Sequence, residues 1–96
     1  MKMAIVAYNE AIEDEVMEIF HGCALTGYTK MDGVFGKGVA SGTHLGTDIW
    51  PGRNSMLLVV GEDASVKQLL SRVRELRKSL GREGVKAFVV PVEEMT

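Results

Sequence analysis

Apolar positions along this chain fall into six runs with two different periods. From Lys2 to Tyr8 the run Met-Ala-Ile-Val-Ala-Tyr is short, partly β-branched and closed by Asn9. Consecutive apolar residues of this kind predict a central strand covered on both faces. Ile12, Val16, Ile19, Phe20 and Cys23 then recur at spacings of three and four, which is one face of a helix. Asn9 is a candidate N-cap for it. Glu13, Asp14 and Glu15 fall where the helix dipole favours negative charge, and Gly22 stands near the C-terminal end. From Ala24 to Phe35 the β-favouring residues predict a long second strand, with Gly27 and Gly33 as candidate bulge positions. From Ser55 to Gly61 runs a third strand, apolar nearly throughout. Val66, Leu69, Leu70, Val73, Leu76 and Leu80 form a helical stripe that predicts a second helix from about Ala64 to Leu80. Asp63 is its candidate N-cap, with a Ser65–Gln68 capping box as the alternative. From Val85 to Val92 runs the fourth strand. Pro91 lacks an amide hydrogen, so it belongs at an edge, a bulge or the strand's end.

The order β-α-β-β-α-β predicts an α+β fold of the ferredoxin-like kind, as a single domain over residues 1–96. A four-stranded antiparallel sheet would carry two helices on one face. Between strands 2 and 3 the chain from Asp32 to Ser55 holds six of the eleven glycines and the only Trp. A glycine-rich loop this long in so small a domain is usually functional or mobile, and it is expected to be the working surface. Strands 1, 3 and 4 are apolar on nearly every residue, yet helices can cover only one face. Large apolar patches rarely stay bare, so self-association is the expected cover for the other.

Composition narrows the class. The chain is 46% apolar and 25% charged, which excludes a disordered tail. A net charge of −2 gives no global attraction to nucleic acid. The charge is unevenly spread: Lys67, Arg72, Arg74, Arg77, Lys78, Arg82 and Lys86 are basic, while Glu10, Glu13, Asp14, Glu15 and Glu18 make the first helix acidic. Two solvated faces, an anion site near the basic helix, or subunits that attract each other all fit this pattern. Cys23 stands alone with no metal spacing around it and reads as a buried apolar residue. No run approaches the roughly 20 apolar residues of a membrane span, and the N-terminus does not read as a signal peptide. No membrane insertion and a cytoplasmic location are expected.

Several groups are candidates for chemistry. Backbone amides from Gly81 to Lys86, with Arg82 and Lys86, can cradle a phosphate; the plainer reading is a helix cap and a tight turn. Lys37 follows the permissive Gly36 and is either an anion contact or a solvated lysine. His44 and Asp48, four apart, can supply two ligands to a divalent metal, though two make a poor site. Trp50 is either a packing anchor or a binding hot spot. Ser41 and His44 lie three apart, but no glycine elbow with a following helix supports them as a nucleophile and base, so no enzyme is expected.

Four stretches together resemble the PII nitrogen-regulatory proteins and their PII-like relatives. Gly33-Val34-Phe35-Gly36-Lys37-Gly38 is similar to the Gly-Phe-Gly-Arg run that opens the family's large loop. Asp48-Ile49-Trp50-Pro51 resembles the Asp-Phe-Leu-Pro that closes it. The stretch Gly81-Arg82-Glu83-Gly84-Val85-Lys86-Ala87-Phe88 is like a shortened second loop, and Val90-Pro91-Val92-Glu93-Glu94 resembles the end of the last strand. The likeness implies a homotrimer with its sheets packed inward and a small effector, foremost an adenine nucleotide (ATP, ADP or AMP), in clefts between subunits. Phe35, Gly36, Lys37, Arg82, Gly84 and Lys86 would bind it. The 36–54 loop, with Val39, His44, Asp48 and Trp50, would signal to a protein partner. Lys37 and Gly38 replace the Arg and Gln of typical members, both tyrosines lie outside the loop, and the chain has no Arg-rich tail. The alternative is a metal-binding trimer similar to divalent-cation tolerance proteins, with His44 and Asp48 as ligands.

Overall fold

The computed structural model describes residues 1–36, 53–80 and 84–96. Strand β1 (Lys2–Asn9) leads through a 3₁₀ turn (Glu10–Ile12) into helix α1 (Glu13–Gly22). Strands β2 (Thr29–Val34) and β3 (Asn54–Gly61), helix α2 (Asp63–Leu80) and strand β4 (Val85–Pro91) follow. The sheet order is β2-β3-β1-β4 and every pairing is antiparallel. This is the ferredoxin-like arrangement that the apolar pattern predicts.

Alternation along the strands sorts the sheet into two faces. Ala4, Val6 and Tyr8 of β1, Leu57 and Val59 of β3, and Val85 of β4 turn toward the helices. They form one core with Val16, Ile19 and Phe20 of α1 and Val66, Leu69 and Val73 of α2. Burying each such side chain contributes about 1.5–3 kcal/mol, so this layer supplies most of the fold's hydrophobic stabilisation. The opposite face is open. Cross-strand register aligns Met31, Met56, Ala7 and Lys86 in one row and Thr29, Leu58, Ile5 and Phe88 in the next. Apart from Thr29 and Lys86 these rows are apolar, and Phe88 and Met31 remain 50% and 41% exposed.

The second strand is shorter than its composition predicts, beginning at Thr29 instead of Ala24. Ala24 takes a left-handed conformation at φ 58, just past the α1 C-cap at Cys23. Leu25 then enters the core, where a side chain on Gly61 would come within 2.5 Å of it. Tyr28 packs edge-on against Phe20, 5.2 Å between ring centres. The stretch is thus used for packing, not pairing. Gly33 does mark a bulge: at φ +68 it shifts the β2–β3 register between Asp32 and Val34. Asn9 is an N-cap, its Oδ1 accepting from the Ala11 amide at 2.9 Å, but it caps the 3₁₀ turn, and α1 starts only at Glu13. Cys23 is fully buried, and Pro91 closes the edge strand β4.

Candidate functional site

The C-terminal ends of β1 and β2 and the N-terminal ends of β3 and β4 meet at one end of the sheet. The last row there is Val34, Asn54 and Asn9, in register across β2, β3 and β1. The Asn9 amide extends the row by donating to the Gly84 carbonyl at 2.8 Å. One residue on, the Glu10 amide donates to the Arg53 carbonyl, also at 2.8 Å. Two consecutive amides at the end of the central strand therefore hold both the exit of the large loop and the root of the second one.

Beneath this row, on the helix side, lies a closed polar ring. The Tyr8 hydroxyl donates to Glu13 Oε1, and Lys30 Nζ donates to Glu13 Oε2. Lys30 also lies 3.5 Å from Asp32 Oδ1, which accepts from Ser55 Oγ at 2.8 Å. Burial first, then the hydrogen bond and negative charge of Glu13, push the Tyr8 hydroxyl well above its ordinary 10.0. The Lys30 and Tyr8 hydrogen bonds hold the Glu13 carboxyl below its usual value. Asp32 is lowered chiefly by the Ser55 bond, with Lys30 and Arg53 adding their charge. Every member is thereby fixed in one protonation state near neutral pH. The ring suits a mechanical anchor joining β1, α1, β2 and β3 and does not suit a proton relay.

On the open side the end of the sheet looks different. Asn54 alternates with Ser55 and so shares the face of Met56 and Leu58. It is only 4% exposed, and among the described residues its Oδ1 finds no donor. An unmet buried acceptor costs about 1–3 kcal/mol. Lys86 stands on the same face, exposed, with Nζ 5.7 Å above the Phe88 ring. Phe35, just past β2, is 99% exposed.

Of the residues singled out from sequence, Phe35, Gly36, Gly84 and Lys86 are all at this end. Phe35 and Gly36 leave the β2 edge, whereas Gly84 and Lys86 belong to the β4 edge. Three strand spacings separate these edges, about 14 Å. A single ion cannot touch both; an extended ligand, or a neighbouring chain, can. Lys37, Val39, His44, Asp48, Trp50 and Arg82 lie outside the described residues. Among the described residues no group of three His, Cys, Asp or Glu side chains is placed to hold a metal. Sequence reasoning missed Asn9, Arg53 and Asn54 as parts of this end. The available signal was a polar Arg-Asn-Ser heading an apolar strand.

A ferredoxin-like sheet with a bare apolar face, and with residues Gly36, Arg53 and Gly84 gathered at one end of it, defines a small α+β domain. The family described as nitrogen regulatory protein P-II matches residues 1–96, and the chain belongs to that family. Solved structures with the same fold include the apo form of CPII, a nitrogen regulatory PII-like protein from Thiomonas intermedia K12. It is 14% identical, with a TM-score of 0.71 over 93% of this chain and 85% of that one. The same protein bound to ADP, AMP and bicarbonate is 16% identical, with a TM-score of 0.71 over 95% and 88%. A putative PII-like signaling protein from Thermus thermophilus is 22% identical, with a TM-score of 0.66 over 95% and 85%. No curated protein matches the chain by sequence.

Proposed function

We propose that this chain is a non-enzymatic PII-like regulator that acts in the cytoplasm as a homotrimer. It binds a small effector, foremost an adenine nucleotide, in clefts between subunits and signals occupancy through the 36–54 loop to a protein partner. The observation that carries this reading is the gathering of Phe35, Gly36, Gly84 and Lys86 at one end of the sheet. Their placement on opposite edges suits an elongated ligand or a subunit boundary. Lys86 offers a cation to phosphate, and the exposed Phe35 ring offers a surface to a base or to a neighbour. Lys37 and Arg82 join the same site, and Val39, His44, Asp48 and Trp50 belong to the signalling loop. The apolar open face supports the trimer, since a second copy is the economical cover for it. ADP, AMP and bicarbonate in the related CPII make those compounds the first to try.

The test is thermal stability with ATP, ADP, AMP and hydrogencarbonate, with particle mass recorded alongside. A ligand that binds only the folded assembly raises the midpoint by mass action. Wild type is expected to shift with at least one adenine nucleotide, and Lys86→Ala to need roughly tenfold more of it, the usual scale for one charge-assisted contact. Equal affinity in the two proteins would remove Lys86 from the site.

A further inference from the structure

Asn54 is the one described residue whose buried side-chain polar atom lacks a partner. Its position is what makes this informative. Asn54 heads β3 in the last row of the sheet, between Val34 and Asn9, one strand in from the edge that carries Phe35 and two strands from the edge that carries Lys86. Arg53 before it and Ser55 after it are both engaged, one through its carbonyl to Glu10 and the other through its hydroxyl to Asp32. The residues on either side of Asn54 are thus both tied down. Ser55 lies on the helix side in the polar ring, so alternation directs Asn54 to the open side, away from every donor of that ring. Among the described residues no donor reaches this buried oxygen, which is left able to accept a hydrogen bond.

We propose that Asn54 reads the effector through a hydrogen bond donated by the ligand to its Oδ1. The inference rests on the nucleotide-binding reading above and adds a selectivity to it. Lys86 supplies attraction to any anion. Asn54 asks in addition for a hydrogen on the ligand, which a fully deprotonated oxyanion lacks. Three groups in the proposed ligand class can supply one: the hydroxyl of hydrogencarbonate, a ribose hydroxyl, or the adenine amine. Sites built around a buried polar partner reject analogues that lack the matching group, because the partner is then left unpaired.

Matched pairs separate the three sources. Hydrogencarbonate is compared with acetate in the presence of ADP, ADP with its 2′-deoxy form, and ADP with inosine diphosphate. Each is titrated against wild type and Asn54→Leu by calorimetry, with Asn54→Ala as the second variant if leucine disturbs folding. Wild type is expected to prefer the donor-bearing member of one pair by roughly tenfold, and that pair names the donor. Asn54→Leu should bind both members within about twofold and, without ligand, should melt no lower than wild type, since an unmet acceptor has been removed. Two results overturn the role of Asn54 alone. One is ligand binding without preference in any pair; the other is a preference that survives in Asn54→Leu. A clear fall in the melting point of the unliganded variant also counts against it, because the oxygen would then have a partner within the chain. If no member of any pair binds wild type, the nucleotide reading itself fails and the role of Asn54 goes with it.

Discussion

Tyr8 shows how much a single residue can differ from what its pattern announces. In the sequence it is the last apolar member of a strand. In the fold it is fully buried and gives its hydroxyl to Glu13, a residue whose spacing suggests only a favourable charge on a helix dipole. Tyr8→Phe keeps the packing but strips one bond from a charged acceptor, and should lower stability by about 1–3 kcal/mol in urea unfolding. The pH dependence has a definite sign. The folded-state pKa of Tyr8 is raised, so its contribution is intact below the ordinary 10.0 and is lost as pH climbs above it. Tyr8→Phe should lack that alkaline decline. Glu13 works at the other limit. Its folded pKa is lowered, so its contribution is present above the ordinary 4.5 and fades as pH falls through the folded value. A variant whose alkaline limb matched that of wild type would show that the hydroxyl is not what fails there.

Among the elements, the two helices and the three apolar strands were readable because their periods are long and unbroken. The bulge at Gly33 was readable too, since glycine inside a strand has few other uses. The segment from Ala24 to Tyr28 was not. Its composition favours a strand, but Ala24 turns left-handed and Leu25 packs against Gly61, far along the chain. Periodicity carries no record of such a contact. Gly61→Ala tests it: the new methyl forces the end of Leu25 aside, with an expected loss of about 1–3 kcal/mol. In a Leu25→Ala background the same substitution should cost little, and a cycle showing simple additivity would mean that the two residues do not meet. The end of the sheet where the proposed site lies was legible only in part. Phe35, Gly36, Gly84 and Lys86 of the proposed site could be singled out through the motifs that resemble the family's. Asn9, Arg53 and Asn54 could not, because what brings them together is cross-strand register and backbone bonds, which leave no periodic pattern in the sequence.

At the scale of the whole molecule, the proposed trimer rests on the open apolar face. Leu58 sits amid that face, in one row with Thr29, Ile5 and Phe88. Replacing it with glutamate leaves the helix-side core untouched but places a charge where another copy would pack. Light scattering should then report a single-chain mass for Leu58→Glu and a trimer for wild type. An unchanged mass would place the subunit contact elsewhere. The ties at the other end of the sheet carry a different consequence. Asn9 and Glu10 grip Gly84 and Arg53 through main-chain atoms alone. Any residue except proline can donate such a bond, and any residue can accept it, so mutation can rewrite these positions without cutting the moorings. Such tolerance also makes the segment between Gly36 and Arg53 an interchangeable cassette: a foreign stretch spliced in there would inherit the Glu10–Arg53 tie at its exit from a scaffold that never inspects its sequence.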